Sequence, residues 1–393
     1  MDNKKYESTH PWIKFDFDAK DFTYKEWILL GAAQSKCRHL SCIALYPESK
    51  QKLLRVYMQK GIQATTAIEG NTLSEEEIEK IIDGKNADIP KSKEYQEQEI
   101  KNVLEAYNNI ADDIKNLRTG NLSFEQIKSD NRTILQKIAQ TESVMPGEIR
   151  THSVVVGGAY RGAPAEDCEY LLRELCDWLN KDWGFDNDNK IIEVLLKAVM
   201  AHLYIAWIHP FGDGNGRTAR VLELRVLMNG GVPDIASHLL SNFYNETRSD
   251  YYSRLSEASG NRSGNPAVFI SYALQGFVDE LDKQIKIILE EQLDVIWTNY
   301  IYSKFSGELS SSRLRKRELL LDISKYRIPI DRDELIIRLN VKTLSQYQNK
   351  SSMTFYRDIK QLVNDKFLKD ENGKISANKD QLQGFLPISK NKL

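Results

Sequence analysis

The stretch KAVMAHLYIAWIHPFGDGNGRTAR, residues 197–220, joins twelve mostly apolar residues to a loop rich in glycine and charge. As a helix, the apolar half at 197–208 is hydrophobic on most faces, and such a helix is normally buried. The second half, 209–220, holds one histidine, one carboxylate, three glycines, an asparagine and two arginines. We therefore predict a central buried helix that leads into a functional loop.

The loop has the composition of an anion-binding site. Gly214, Asn215 and Gly216 stand where the next helix begins, and the free backbone N–H groups at a helix N-terminus attract anions. Arg217 and Arg220 are three residues apart, so both guanidinium groups project from one face of that helix. Because each guanidinium can grip phosphate through paired hydrogen bonds, the pattern favours a polyphosphate.

Two further residues add chemistry to the anion site. The carboxylate of Asp213 is a hard oxygen ligand of the kind that Mg²⁺ prefers, and Mg²⁺ accompanies nucleotides. His209 carries an imidazole that can accept a proton from a hydroxyl group near neutral pH. A base, a metal ligand, an anion cradle and two arginines together indicate transfer of a phosphorus group to a hydroxyl.

Plainer interpretations of the same residues remain. A histidine at the end of an apolar helix is more often a buried structural residue, and the two arginines could form surface ion pairs with Glu223 or Asp213. Ion pairing alone would leave the glycines unexplained. The run GNGRTA at 214–219 also matches a dinucleotide-binding pattern, but that pattern follows a strand and here a helix is predicted.

Helical periodicity dominates the rest of the chain, so we predict a mainly α-helical fold. The run THSVVVGGAYRG at 151–162 is the exception, because its β-branched residues and Gly-Gly pair predict a β-hairpin. A Ser-rich run at 303–313 indicates a linker. The order of short helices and extended segments beyond it predicts a small winged helix-turn-helix domain. The expected organisation is an N-terminal helical region at 1–110, a helical core at 111–300 that contains the loop, a linker at 301–313 and the winged domain at 314–393.

Composition limits the function classes. The chain has 393 residues and a net charge of −2, which argues against a nucleic-acid coat or a membrane-surface protein as a whole. From residue 313 onward, however, 18 Lys and Arg face 10 Asp and Glu, a net charge of +8. The four cysteines form no C-x-x-C pair, and no signal-peptide core is apparent at the start. We expect a cytoplasmic protein without membrane contact.

The segment 209–220 matches, at every defined position, the signature His-Pro-Phe-x-Asp/Glu-Gly-Asn-Gly-Arg-x-x-Arg of the Fic family, and the chain thus resembles that family. TTAIEGNTLS at 65–74 is similar to the family's N-terminal inhibitory motif, with Thr65, Glu69 and Gly70 at its defined positions. GEIRTHSVVVGG at 147–158 looks like the flap hairpin. The resemblance implies a Fic-type helical bundle with a β-hairpin flap and a C-terminal winged helix.

By resemblance, the activity is transfer of AMP from ATP to a Tyr, Thr or Ser hydroxyl of a target protein or of the chain itself, with Mg²⁺. The resemblance implies these roles: His209 as general base; Asp213 as metal ligand; Gly214, Asn215, Gly216, Arg217 and Arg220 as nucleotide ligands; Tyr252 or its neighbour Tyr251 beside the adenine; and Val154, Val155, Val156 and Gly157 as the flap that docks the target.

The same resemblance makes Glu69 an inhibitory residue. Its carboxylate would reach Arg220 and occupy the place of the γ-phosphate, so that ATP binds unproductively. It could alternatively align a water molecule that removes AMP from a modified protein. A third hypothesis is a nucleotide-sensing DNA-binding regulator, with Arg357 and Lys360 on the recognition helix, although the winged domain could equally contact a protein. A homodimer is a further expectation.

Overall fold

The computed structural model describes residues 4–117, 120–156, 160–260, 264–307 and 310–382. It divides into two compact units, Met1–Ile285 and Lys286–Leu393. The domain boundaries expected at residues 110, 300 and 313 stay predictions.

The first unit is almost entirely helical, which confirms the predicted fold class. Its α-helices are α1 Lys5–Thr9, α2 Tyr24–Cys42, α3 Pro47–Ala67, α4 Glu75–Ile82, α5 Glu94–Lys115, α6 Phe124–Leu135, α7 Cys168–Asn180, α8 Lys190–Ile208, α9 Asn215–Asn229, α10 Asp234–Ser237, α11 Leu239–Glu246, α12 Arg248–Ala258 and the long α13 Pro266–Lys304, whose C-terminal part belongs to the second unit.

The central helix is α8, as the apolar run predicts. Fifteen of its 19 residues are buried, and it packs mainly against α9, with further contacts to α2 and α7. Length and composition alone would allow the helix at Asn187–Ile208 to cross a membrane, but 78% of its most apolar window is buried inside the fold. The neighbouring helices therefore supply the apolar surroundings that this segment requires.

A short turn that contains Gly70 separates α3 from α4. The chain leaves α3 at Ala67, and Gly70 takes a φ of 101°, a conformation that favours glycine. Ser74 then caps α4: its side chain accepts from the Glu77 N–H at 3.3 Å, while the Glu77 carboxylate accepts from the Ser74 N–H at 2.7 Å. Serine followed three residues later by glutamate is the sequence pattern of a capping box, and this reciprocal pair shows that it forms here.

The predicted β-hairpin is present but short. Strand β1 Val155–Val156 pairs antiparallel with β2 Tyr160–Arg161. Beyond the strands, the carbonyl of Val154 accepts a hydrogen bond from the Gly162 N–H at 3.2 Å. Gly157, predicted as part of the flap, lies outside the described residues.

The second unit combines short helices with a three-stranded sheet of order β3-β5-β4, in which both pairings are antiparallel. Its elements are α14 Ser311–Ile323, β3 Ile330–Asp331, α15 Leu335–Arg338, α16 Val341–Ser345, α17 Ser352–Asn364, β4 Leu368–Glu371 and β5 Lys374–Ala377. This order agrees with the expected winged helix-turn-helix, which stays a prediction. Arg357 and Lys360 are exposed on α17.

Candidate functional site

The imidazole of His209 is fixed where α8 ends. The His209 N–H still donates to the Ile205 carbonyl at 2.9 Å, but the residue itself has φ 50° and ψ 58°, in the left-handed region. Such a conformation in a non-glycine residue persists only where its surroundings determine it. It turns the chain out of the buried helix and into the loop that precedes α9.

Side-chain amides hold this loop in shape. Asn215 accepts from the Phe211 N–H at 2.9 Å and donates back to the Phe211 carbonyl at 2.8 Å. Asn131 on α6 donates to the Asp213 carbonyl at 3.0 Å. Gly214 has a φ of 73°, which a residue with a side chain rarely adopts. The side chain of Asn215 therefore closes the loop, while its backbone N–H lies at the start of α9.

The structure brings the end of α3 onto the start of α9. The carboxylate of Glu69 accepts from Arg220 at 2.5 Å, although the two residues are 151 positions apart. Arg220 also donates to the Thr65 carbonyl at 3.0 Å and to the Tyr251 hydroxyl at 3.4 Å. A Cβ atom at Gly216 would overlap the Glu69 carboxylate, so only glycine leaves room for it. Glu69 thus lies directly against the predicted anion cradle.

Burial and charge set the protonation of the two central groups. Burial tends to raise the pKa of Glu69, but Arg220 beside it more than offsets this, and the pKa lies below its ordinary value. The carboxylate is therefore ionised at neutral pH. Burial, together with the positive charge of Arg150, lowers the pKa of His209 to about 4. The imidazole is accordingly neutral and able to accept a proton.

The other arginine of the loop has a different carboxylate partner. Arg217 donates to Glu99 on α5 at 2.7 Å, and Asp213 lies farther away at 3.5 Å. Glu99 also accepts from the side-chain amide of Asn71 at 3.0 Å. Burial raises the pKa of Glu99 above its ordinary value, because the favourable effect of Arg217 is smaller. The sequence offers no signal for Glu99, which is one of several acidic residues on an amphipathic helix.

The simpler interpretation, that the two arginines form surface ion pairs with Glu223 or Asp213, holds only in part. Asp213 does contact Arg217, but both arginines are buried and their main partners are Glu99 and Glu69. Glu223 is engaged elsewhere: its carboxylate accepts from the Tyr244 hydroxyl at 2.9 Å and lies 3.3 Å from His202.

A cavity of about 460 Å³ opens beside these groups. Its polar side is formed by Glu69 and His209 and its remaining walls are largely apolar or aromatic, including Val156, Tyr160, Trp207, Ala219, Tyr251, Tyr252 and Leu255. Tyr252 is 45% exposed, whereas Tyr251 is buried and bonded to Arg220 and His202. The dimensions suit a small organic ligand with one charged end.

The predicted metal ligand Asp213 and the predicted flap hairpin each have an exposed side chain. The side chain of Asp213 is 49% exposed, and within the described ranges no group of three or more His, Cys, Asp or Glu residues is placed to hold a metal ion. In the hairpin, Val155 is 55% exposed while Val156 lines the cavity. The carboxylate of Asp213 is thus accessible to a metal ion, and the hairpin leaves the Val155 side chain open to a partner.

No pattern in the sequence singles out Arg150. This buried residue lies in the segment that leads into the hairpin, and its guanidinium donates to the His209 carbonyl at 2.7 Å and to the His152 carbonyl at 2.6 Å. Its position immediately before the strand-like run at 151–162 gives no sign of burial, because arginine is normally a surface residue.

Comparison with known proteins agrees with this geometry. Residues 121–227 match the model of the Fic/DOC family. A protein adenylyltransferase fic-1 of Caenorhabditis briggsae is 31% identical over 195 residues, which are 50% of this chain and 35% of that relative. A protein adenylyltransferase Fic of Nematostella vectensis is 29% identical over 210 residues, 53% of this chain and 45% of the relative. The match thus spans less than half the length of these curated relatives.

Solved structures share the fold. A Fic family protein from Desulfovibrio desulfuricans G20 superposes with a TM-score of 0.56 at 17% identity, covering 92% of this chain and 98% of that one. Residues 134–508 of Fic-1 from Caenorhabditis elegans give a TM-score of 0.55 at 23% identity, covering 68% of this chain and 73% of that one. The family match, the fold and the arrangement of the loop agree: residues 121–227 of the chain form a Fic/DOC domain.

Proposed function

We propose that this protein transfers AMP from ATP to a hydroxyl group of a target protein, and that the ion pair between Glu69 and Arg220 restrains this activity. The observation that carries the proposal is the position of Arg220, which lies at the start of α9 beside the cavity of His209 and is held by a carboxylate from α3. The names of the relatives, protein adenylyltransferase, support the reaction class.

His209 would act as the general base. It accepts the proton of the incoming hydroxyl while the hydroxyl oxygen attacks the α-phosphorus of ATP, and the bond from that phosphorus to the departing pyrophosphate breaks. The lowered pKa of the imidazole, about 4, keeps it neutral near pH 7, which is the form that accepts a proton. A general base of this kind typically contributes about 10²- to 10⁴-fold in rate.

The two arginines and the start of α9 would hold the phosphates. Within the described residues, the Nε atoms of Arg217 and Arg220 are buried and lack a hydrogen-bond partner. Buried donors without partners are uncommon, and an anion would satisfy them. Gly216 and its neighbours add backbone N–H groups at the positive end of the helix dipole.

Asp213 would hold Mg²⁺. A single exposed carboxylate fits this ion, because Mg²⁺ is usually bound by one or two carboxylates together with substrate phosphates. When bound, the ion would neutralise phosphate charge. The adenine would lie along the aromatic wall that includes Tyr252.

The hairpin would dock the target. Strand β1 is two residues long and Val155 on it is exposed, so an extended segment of another protein could pair with this edge through backbone hydrogen bonds. Docking through the backbone would orient a Tyr, Thr or Ser hydroxyl toward His209 without requiring a particular target sequence.

Glu69 would restrain the reaction through Arg220. While the carboxylate holds the guanidinium, a γ-phosphate that approaches Arg220 meets a negative charge instead of a free donor. Thr65 and Gly70 contribute through the backbone, since the Thr65 carbonyl also accepts from Arg220 and the turn at Gly70 ends the α3 segment.

Removal of AMP from a modified protein is a second candidate function. The specific observation in its favour is that the carboxylate of Glu69 lines the same cavity as His209, where it could orient a water molecule. Incubation of an AMP-modified target with the parent protein would distinguish the two, because release of AMP that requires both residues supports removal.

The transfer reaction is tested by replacing the base. In a Glu69→Gly background, His209→Ala should lower the initial rate of AMP incorporation from labelled ATP by about 10²- to 10⁴-fold. Binding of a fluorescent ADP analogue should change less than about threefold, because the arginines and the α9 start remain. Label incorporation that persists at the rate of the Glu69→Gly protein would remove His209 from the mechanism.

A further inference from the structure

Arg150 occupies an unusual environment for a cation. It is 3% exposed, and within the described part of the chain its acceptors are all backbone carbonyls: those of His209, His152, Ala163 and Ile208. A buried charge is normally paired with an opposite one. Among the residues that the structure describes, the other buried arginines have carboxylate partners, as Arg225 does with Asp130 and Asp113.

The contacts of Arg150 join three segments of the chain. The Arg150 N–H donates to the Pro210 carbonyl at 3.0 Å, and the preceding residue, Ile149, forms a β-bridge with Phe211. Its guanidinium reaches the end of α8 at His209 and the residue just after the hairpin, Ala163. The base of the flap hairpin, the end of α8 and the loop are therefore fastened at one side chain.

The space around this side chain is filled. A Cβ atom at Gly162 would lie 2.9 Å from the Cβ of His209 and 3.0 Å from a guanidinium nitrogen of Arg150. The residue that follows β2 thus packs closely on both His209 and Arg150, and a side chain at position 162 would displace one of them.

We propose that Arg150 is a positioning residue for the reaction: its guanidinium holds the His209 backbone in the conformation that aims the imidazole into the cavity. Its positive charge, which no carboxylate among the described residues pairs, also acts on that imidazole. The proposal rests on the proposed function for its effect on rate. Its effect on the protonation of His209 is independent of any activity.

The charges around His209 act in both directions. Burial is the main cause of its low pKa, and Arg150 lowers that pKa further. Glu69 on α3 and Asp213 in the loop raise it. Tyr160 in β2 and Tyr251 on α12 also line the cavity, but burial raises their own pKa values, so they stay uncharged. Removal of the Arg150 charge leaves burial as the main cause that lowers the pKa of His209, while the Ala206 backbone, Glu69 and Asp213 still raise it, so the pKa should rise.

Two replacements separate the charge from the contacts. Arg150→Gln removes the charge, whereas Arg150→Lys keeps the charge but cannot reach several carbonyls at once. In the Glu69→Gly background, the acid midpoint of the rate against pH should move up by about one unit or more in Arg150→Gln. In Arg150→Lys it should stay within about 0.3 units while the rate falls about tenfold or more.

The titration of His209 followed by NMR of its ring proton gives the same comparison without activity. Arg225→Lys, a change at another buried arginine, is the control and should leave the His209 titration unchanged.

Equal midpoints in Arg150→Gln and the parent would overturn the effect of charge, and a parental rate in Arg150→Lys would overturn the positioning role. If Arg150→Gln does not fold, the Arg150→Lys rate and titration still decide the positioning role. If no variant transfers AMP but the His209 midpoint moves as expected, the proposed function fails and the effect of Arg150 on His209 stands.

Discussion

The two arginines at the start of α9 each face a carboxylate, and the two ion pairs differ. Glu69 has a lowered pKa because the attraction of Arg220 exceeds the cost of burial, whereas Glu99 has a raised pKa because burial outweighs the attraction of Arg217. Arg220 has two further acceptors, the Thr65 carbonyl and the Tyr251 hydroxyl. Arg217 has one further partner, Asp213 at 3.5 Å. The two pairs therefore differ mainly in their carboxylates, because Glu69 is the more firmly ionised and Glu99 is the more easily protonated.

The pairs are also connected. Asn71 follows two residues after Glu69, and its side-chain amide donates to Glu99 at 3.0 Å and to the Gln96 carbonyl at 3.0 Å. Movement of Glu69 away from Arg220 would pull on this turn and on the partner of Arg217. We expect the restraint to depend mainly on Glu69 and only secondarily on Glu99.

The largest effect expected from a change of charge alone is that of Glu69→Gln. The amide keeps the shape of the side chain but attracts Arg220 less and no longer repels a phosphate. Loss of one charged hydrogen bond of about 1.5–3 kcal/mol corresponds to a rise of roughly 10- to 100-fold in AMP transfer, measured as initial label incorporation. Glu76→Gln, a change at an exposed glutamate on α4, is the matched control and should leave the rate unchanged. A Glu69→Gln rate no higher than that of the control would contradict the claim that the charge of Glu69 restrains AMP transfer through Arg220.

A smaller effect is expected for Glu99→Gln in the Glu69→Gly background. Because Arg217 becomes freer to bind phosphate, the KM for ATP should fall by about two- to tenfold, as for one hydrogen bond of about 0.5–1.5 kcal/mol. Glu97→Gln, two residues away and paired with Lys101, is the control. A KM that rises instead would mean that Glu99 orients Arg217 for the nucleotide and does not compete with it.

The smallest effect is a difference in pH dependence. Burial raises the pKa of Glu99, so this carboxylate takes up a proton at a higher pH than an ordinary glutamate, and the advantage of Glu99→Gln should shrink as the pH is lowered. Arg220 holds the pKa of Glu69 below its ordinary value, so the carboxylate stays ionised at every pH above that ordinary pKa. The advantage of Glu69→Gln should therefore stay constant in that range. The test measures two ratios at each pH: the AMP-transfer rate of Glu69→Gln relative to the parent protein, and the KM for ATP of Glu99→Gln relative to the Glu69→Gly protein. Two ratios that change in parallel would contradict the assigned directions.

The sequence predicted the parts of this account that are local. The apolar run of α8, the capping box of α4 and the hairpin each follow from short-range patterns, and all three are present. The pairing of Glu69 with Arg220 was expected from the resemblance alone, and the structure places the two side chains in contact.

The contacts that the sequence could not predict depend on packing between distant segments. Glu99 meets Arg217 because α5 packs against α9, and Arg150 meets His209 because the segment before the hairpin pairs with the loop after α8. Composition was also ambiguous: the Ser-rich run indicated a linker, yet α14 begins within it, with Ser310 as its cap. Serine is common both in linkers and at helix starts.

The most direct test of the central claim is the initial rate of AMP transfer from labelled ATP by the Glu69→Gly protein and by its parent, at equal protein and saturating ATP. Removal of the whole side chain frees Arg220 and the space beside Gly216, so we expect a rise of at least roughly tenfold. Equal rates would contradict the account, because they would show that the contact between Glu69 and Arg220 does not restrain the enzyme.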